Sequence, residues 1–322
     1  MLSREIDVAL VGLYLRGFGV LPWRGWRNIA NLFWRNVPSL AEMPSLLREH
    51  GFREAAMVLE IPGHLDAAWD LIEDQRALSP ANPLFPARWR QSKFCPPAVW
   101  TKNLSQLPPD GMLPLAVVGS RFPPERCLSF VLEVVRQLEL SETGTAWHVV
   151  SGGAEGCDVA AERASGFPVS ILPFGLNFAR SDHACFSVIA PSEPFGTINA
   201  MERNALIFAF GARAVVGHCE LGSGGAWHGA VGALRAGETP VGVYTGEMLG
   251  GEGFCADGGA AFPGAIISDA ICSGAVFPGA KGLMSARAVP LRGVAEAVGW
   301  VQSEVPRRHL FEAEEVRLAS VG

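Results

Sequence analysis

The chain has 322 residues, 49% of them hydrophobic and 18% charged, with 37 glycines, 23 prolines and a formal net charge of −6. It is long enough to bury a large core in one large or two moderate domains. Its charge excludes a protein whose whole surface grips nucleic acid, while leaving room for a local basic groove. The seven cysteines are widely separated and form no C-x-x-C pair. Zinc is therefore not expected, nor any other metal or cofactor, and the thiols read as reduced and mostly buried, as in a cytoplasmic protein. The N-terminal stretch mixes Glu5 and Asp7 into what would be the basic region of a signal peptide, and no apolar run reaches membrane-spanning length without a charge or a Gly/Pro break. A soluble protein with no membrane partner is expected.

Residues 1–80 read as a small helical domain. Apolar residues repeat at helical spacing over 6–15, and a second segment after Pro22 carries Trp23, Trp26, Ile29, Phe33 and Trp34. The turn between them, Gly17-Phe18-Gly19, is of the helix-hairpin-helix kind, which can hold a DNA phosphate on its amides. The stronger reading of Trp23, Trp26 and Trp34 is as packing residues of a small helical domain. Helices are also expected over 39–50, 53–59 and 64–78. Residues 81–112 form a proline-rich connector whose middle, Phe85 to Arg90 and Pro96 to Trp100, can run along a sheet edge, where missing N–H groups cost little.

From Leu113 the pattern alternates strand and helix. Strands are expected over 113–118, 147–151, 169–172, 187–189, 214–217 and 240–244. Helices fall near 123–139, 156–165, 198–211 and 223–236. Val117-Val118, Val149-Val150 and Val215-Val216 are continuous apolar steps, the mark of parallel strands buried on both faces. The fold class is thus α/β, a mostly parallel sheet over 113–303 behind a small N-terminal helical domain. Residues 246–282, rich in Gly and Ala, read as a long loop with short strands; a helix over 291–301 closes the sheet, and 304–322 is an exposed tail.

Three glycine-bearing turns follow apolar strands: Gly119-Ser120-Arg121, Ser151-Gly152-Gly153-Ala154-Glu155-Gly156-Cys157-Asp158, and Leu221-Gly222-Ser223-Gly224-Gly225. At the carboxyl end of a parallel strand, glycine lets the backbone approach a ligand, and the first N–H groups of the next helix stay free for an anion. Three such turns imply one composite phosphate cleft. Arg121 can fork onto a phosphate held there, and Arg203 with Asn204 supplies further donors. Ser151, Gly152, Gly153 and Gly156 supply amides and room. Ser223 is both an N-cap and a phosphate donor, with Gly224 beside it. Asp158, in the first turn of a helix, suits acceptance of backbone N–H bonds. No residue is assigned a catalytic role.

The turn sequences, their order and their spacing resemble the DNA-processing protein A family, also called Smf, within the Rossmann-like nucleotide-sensing group. Gly119-Ser120-Arg121, Ser151 to Ala154 with Gly156 and Asp158, Arg203-Asn204 and Ser223-Gly224 carry the likeness, together with Phe85-Pro86 and Pro96 to Val99. The resemblance implies a Rossmann-like fold, single-stranded DNA as ligand, a homodimer, and a RecA-type recombinase to which DNA is handed in recombination or DNA uptake. Phe122, Glu155 and Ala205 stand where the family often has basic residues, and Glu162 where it often has a histidine. Each lost phosphate contact lowers salt-dependent affinity, while Phe122 can stack on a base.

The alternative is a nucleotide sensor or a nucleoside-monophosphate phosphoribohydrolase. Met201-Glu202-Arg203-Asn204 loosely resembles the arginine motif of those hydrolases, but residues 218–228 place no carboxylate in the first turns of the helix that follows. His148, His183, His218 and His228, four of the seven histidines, have no ligand spacing and suit ordinary hydrogen bonding.

Overall fold

The computed structural model describes residues 39, 41–74, 76–80, 82–141, 145–246 and 276–303. The expected helices before residue 38, with their glycine turn and tryptophans, lie outside the described residues, as do most of the 246–282 loop and the tail.

Three short helices lead: α1 (Met43–Glu49), α2 (Arg53–Leu59) and α3 (His64–Glu73). The helix expected over 64–78 stops early, because Ala77 and Leu78 are buried as strand β1 (Ala77–Leu78) instead. The proline-rich stretch then gives α4 (Ala87–Gln91) and β2 (Val99–Lys102). Trp89 anchors it: the ring is fully buried, stands edge-on to Phe85, Phe186 and Phe210, and donates Nε1–H to the Leu206 carbonyl at 2.8 Å. A buried indole needs such an acceptor.

Next come β3 (Leu113–Val118), α5 (Glu125–Glu139), β4 (Trp147–Ser151), α6 (Cys157–Ala164), β5 (Val169–Leu172) and β6 (Ala184–Ser187). They are followed by α7 (Thr197–Phe210), β7 (Arg213–Val216), α8 (Gly224–Ala236), β8 (Val241–Tyr244), α9 (Pro278–Ser285), β9 (Val289–Leu291) and α10 (Val294–Gln302). The nine described strands form one sheet in the order β1-β2-β6-β5-β4-β3-β7-β8-β9. From β6 to β9 every pairing is parallel; β1 and β2 pair antiparallel at one edge. The chain lays down β3 centrally, builds outward through β4, β5 and β6, then returns to pair β7 on the other side of β3. This is the Rossmann-like pattern, and its point of reversal, between β3 and β7, is where such sheets open a crevice.

Period-two alternation sorts β3 between two cores. Leu115 and Val117 face α5 and α10, against Phe130, Val134 and Val301. Ala116 and Val118 face α7 and α8, against Leu206, Phe208 and Ala230. A third cluster packs α1 and α2 over the antiparallel edge, against Ala77, Trp100 and Leu172. β6 begins three residues earlier than its expected 187–189: the Ser187 hydroxyl donates to the Leu172 and Phe174 carbonyls and accepts from Ile189 N–H, which ends the strand there. Part of the loop expected over 246–282 is instead α9, and the helix expected from 291 is preceded by β9, so that it begins at Val294.

Candidate functional site

The first turn leaves β3 at Gly119. Ser120 N–H donates to the His218 carbonyl at 2.9 Å, and Phe122 N–H to the Ser120 hydroxyl at 3.2 Å, so the turn is tied to the segment after β7. Gly119 has to be glycine, since a Cβ there would come within 2.6 Å of the Cys157 Cβ. The Arg121 side chain is left exposed, its guanidinium carbon 5.8 Å from the Phe195 ring centre.

In the second turn, after β4, the Gly152, Gly153 and Cys157 N–H groups all find acceptors within the protein. The fully buried Ser151 hydroxyl donates to the Glu162 carboxylate, which also accepts from Ser170 at 2.6 Å. Gly152 N–H donates to Asp158 Oδ2 at 3.0 Å, as expected of an acid in a first helical turn. Cys157 N–H, at the start of α6, donates to the Ser120 carbonyl at 3.3 Å. Gly156 (φ 84°) abuts the Ser120 and Arg121 carbonyls, where any Cβ would collide with backbone. This turn buttresses the first and holds Arg203.

The third turn is open. Ser223 is the N-cap of α8, with extended backbone (φ −137°, ψ 155°), and its hydroxyl makes no capping hydrogen bond. The leading amides of α8, at Gly224, Gly225 and Ala226, have no partner among the described residues, as the first donors of a helix do not within it. The helix has no acid in its first turn, so its positive end is uncompensated there. Gly225 and Gly229, one helical turn apart, let α7 come close: a Cβ at either would press on Asn204, and one at Gly229 also on Phe208.

Between the first and third turns lies a cleft of about 410 Å3, of the size that takes a small organic ligand. Gly119, Ser120, Arg121, Arg203, Asn204, Ser223 and Gly224 line it; Ser151, Gly152, Gly153 and Gly156 do not. Sequence reasoning did not place Phe195, Thr197, Ala200, Met201 and Glu220 there, nor Asp158 on its floor. The one signal that could have found Phe195 is its place as an isolated aromatic between Pro194 and Gly196, just ahead of α7.

Arg203 is 4% exposed and its Nε has no partner. Its guanidinium lies against Gly152, where a Cβ would overlap it and come within 2.7 Å of Asp158 Oδ2. Burial pulls the Arg203 pKa down to about 10; Asp158 and Glu162 oppose that shift, and the facing Arg121 adds to it. Burial likewise pushes the Asp158 carboxyl up to about 6, against the pull of Arg203. Two guanidiniums thus repel across one cleft, beside free helix amides. An anion between them relieves the repulsion and gains charge-assisted hydrogen bonds.

An α/β sheet with a cleft at its switch point, lined by two arginines and a helix N-terminus, defines the class: a Rossmann-like protein. More closely, the family model for DNA recombination-mediator protein A matches residues 76–250, over half of the chain, and the chain belongs to that family. Among solved structures, DNA processing protein A from Streptococcus pneumoniae is similar at TM-score 0.60 and 18% identity, covering 92% of this chain and 95% of that one. That likeness shows the shared fold. A DNA processing protein A from Helicobacter pylori, described for its single-stranded DNA binding mode, is similar at TM-score 0.48 and 17% identity over 63% of this chain and 86% of that one. No curated protein sequence matches the chain. No helix among the described residues is long and apolar enough to cross a membrane.

Proposed function

We propose that this protein binds single-stranded DNA, with backbone phosphates seated between Arg121, Arg203, Asn204, the Ser223 hydroxyl and the leading amides of α8. The observation that carries the reading is the pair of guanidiniums, one buried and one exposed, facing the same unpartnered helix N-terminus. Membership of a recombination-mediator family supports DNA as the ligand. Under the same proposal the protein works in the cytoplasm as a homodimer, delivering DNA to a RecA-type recombinase. Residues 1–80 then act as a leading helical domain, 81–112 as a connector, and 113–303 as the DNA-holding body.

The test is a fluorescence-anisotropy titration of a labelled single strand of a few tens of nucleotides across salt concentration. Arg121→Ala is expected to weaken binding about tenfold and to flatten the salt slope by roughly 0.7, the loss of one phosphate contact on a single strand. Undetectable binding at low salt, with release of free base from a nucleoside monophosphate, would move the protein to the nucleotide-cleaving class instead.

A further inference from the structure

The charged lining of the cleft balances to zero: Arg121 and Arg203 against Asp158 and Glu220. Phosphate attraction alone gives such a site little affinity, and two cations release few counterions. The same cleft carries an unusual amount of exposed apolar surface. Phe122 is 84% exposed and Phe195 50%, both in the lining, and Met201 beside them is 47% exposed. Neither phenylalanine stacks on another ring among the described residues, and the Arg121 guanidinium carbon lies over the Phe195 ring, 5.8 Å from its centre. Exposed apolar surface gathered at a polar cleft marks a binding site. Rings beside phosphate donors fit a flat π-system one sugar away from a phosphate.

We infer that Phe122 and Phe195 are the base-holding walls of this cleft, so that each bound unit is an unpaired nucleobase with its adjoining phosphate. Stacking thereby supplies affinity that charge does not. The inference rests on the cleft being the ligand site proposed above. A paired base has both faces covered by its neighbours in the duplex, so the rings admit single strands and reject double strands. Phe195 has a second role: by holding the Arg121 guanidinium over its face in a cation–π contact it keeps that cation in the cleft when no ligand is present. The bound chemistry has two sources, a DNA strand or a free nucleotide, and polymer length separates them.

The experiment compares four probes on the full chain: a labelled oligothymidine, an abasic oligonucleotide of equal length and charge, the matching duplex, and thymidine 5′-monophosphate. The expected result is oligothymidine binding at least tenfold tighter than the abasic strand or the duplex, with a salt slope no steeper than about −1.4 for two phosphate contacts. Phe122→Ala, at a position exposed enough to leave the fold intact, weakens oligothymidine roughly 5- to 150-fold, the range for loss of one base stack. The same variant leaves the abasic strand unchanged. Phe122→Trp restores or strengthens binding. Equal affinity for abasic and normal strands, with Arg121→Ala still damaging both, would overturn the base-wall inference while leaving DNA binding standing. Tight binding of the mononucleotide with no gain from polymer length would overturn the DNA reading and keep the base walls. Failure of all four probes to bind would sink both.

Discussion

The second turn, residues 151–158, and the third, residues 221–225, both follow buried parallel strands, carry adjacent glycines and lead into helices, yet they spend their donors differently. In the second, Gly152 N–H is taken by Asp158 and Cys157 N–H by the Ser120 carbonyl. In the third, the Ser223 hydroxyl makes no capping bond and the leading amides of α8 face the cleft. One turn sets the frame and the other leaves its donors open to the cleft. A glycine-rich motif is therefore not in itself an anion site; what decides is whether neighbouring carbonyls and carboxylates have already consumed its amides.

The largest effect expected from breaking the frame is at Asp158. Asp158→Ala strips the buried Arg203 of the larger of its two counter-charges and Gly152 N–H of its acceptor; burial already works against the ionised carboxyl, so chemical denaturation should show a loss of about 3 kcal/mol, the low end for breaking a buried pair. No substitution confined to the third turn should approach that figure. The glycines come next. Gly156→Ala forces a Cβ into backbone carbonyls at a positive φ and should cost about 3 kcal/mol. Gly224→Ala (φ 77°) meets open space and should cost only about 1 kcal/mol, from backbone strain alone. Equal losses at the two positions, measured in the same denaturant series, would erase the distinction.

Protonation sharpens the comparison further. The folded-state pKa of Asp158 is raised to about 6, so the native state takes this proton more readily than the unfolded chain does. Its contribution to stability is therefore greatest below about pH 4 and is lost as pH rises through 6. Between pH 7 and 5 the cleft also gains one positive charge. Affinity for a phosphate ligand should rise about fivefold, or about 1 kcal/mol, and Asp158→Asn should abolish that rise. The smallest pair is Ser151→Ala against Ser223→Ala. The first should cost about 1 kcal/mol of stability, through Glu162, and no affinity. The second should leave stability within about 0.5 kcal/mol and weaken the oligonucleotide several-fold.

β3, β4 and β5 could be bounded from sequence because their apolar runs are long for their length and are closed by glycine or proline. β9 was hidden by Pro290, tolerable only because the strand lies at the sheet edge. α9 was hidden by Gly279 and Gly282, poor helix formers that are needed where the helix presses on the Cys219 carbonyl and the Trp227 ring. At the site, the motifs named Arg121 and Arg203, which the fold brings to one cleft, and Asp158 accepts a backbone N–H as expected of its place in a first helical turn. What sequence could not give was the stagger between β4 and β3 that draws the second turn behind the first. It was equally silent on the burial of Arg203, which depends on α7 crossing over Gly152. Phe195 and Glu220 enter the cleft from loops with no period to read.

The most direct test of this division is an amide-resolved NMR titration of the full chain with thymidine 5′-monophosphate and with a short oligothymidine. The amides of Gly224, Gly225 and Ala226 should shift with ligand, together with the Arg121 side chain, while Gly152 and Cys157 stay in place. Shifts concentrated at Gly152, Gly153 and Cys157, with none at the start of α8, would contradict it.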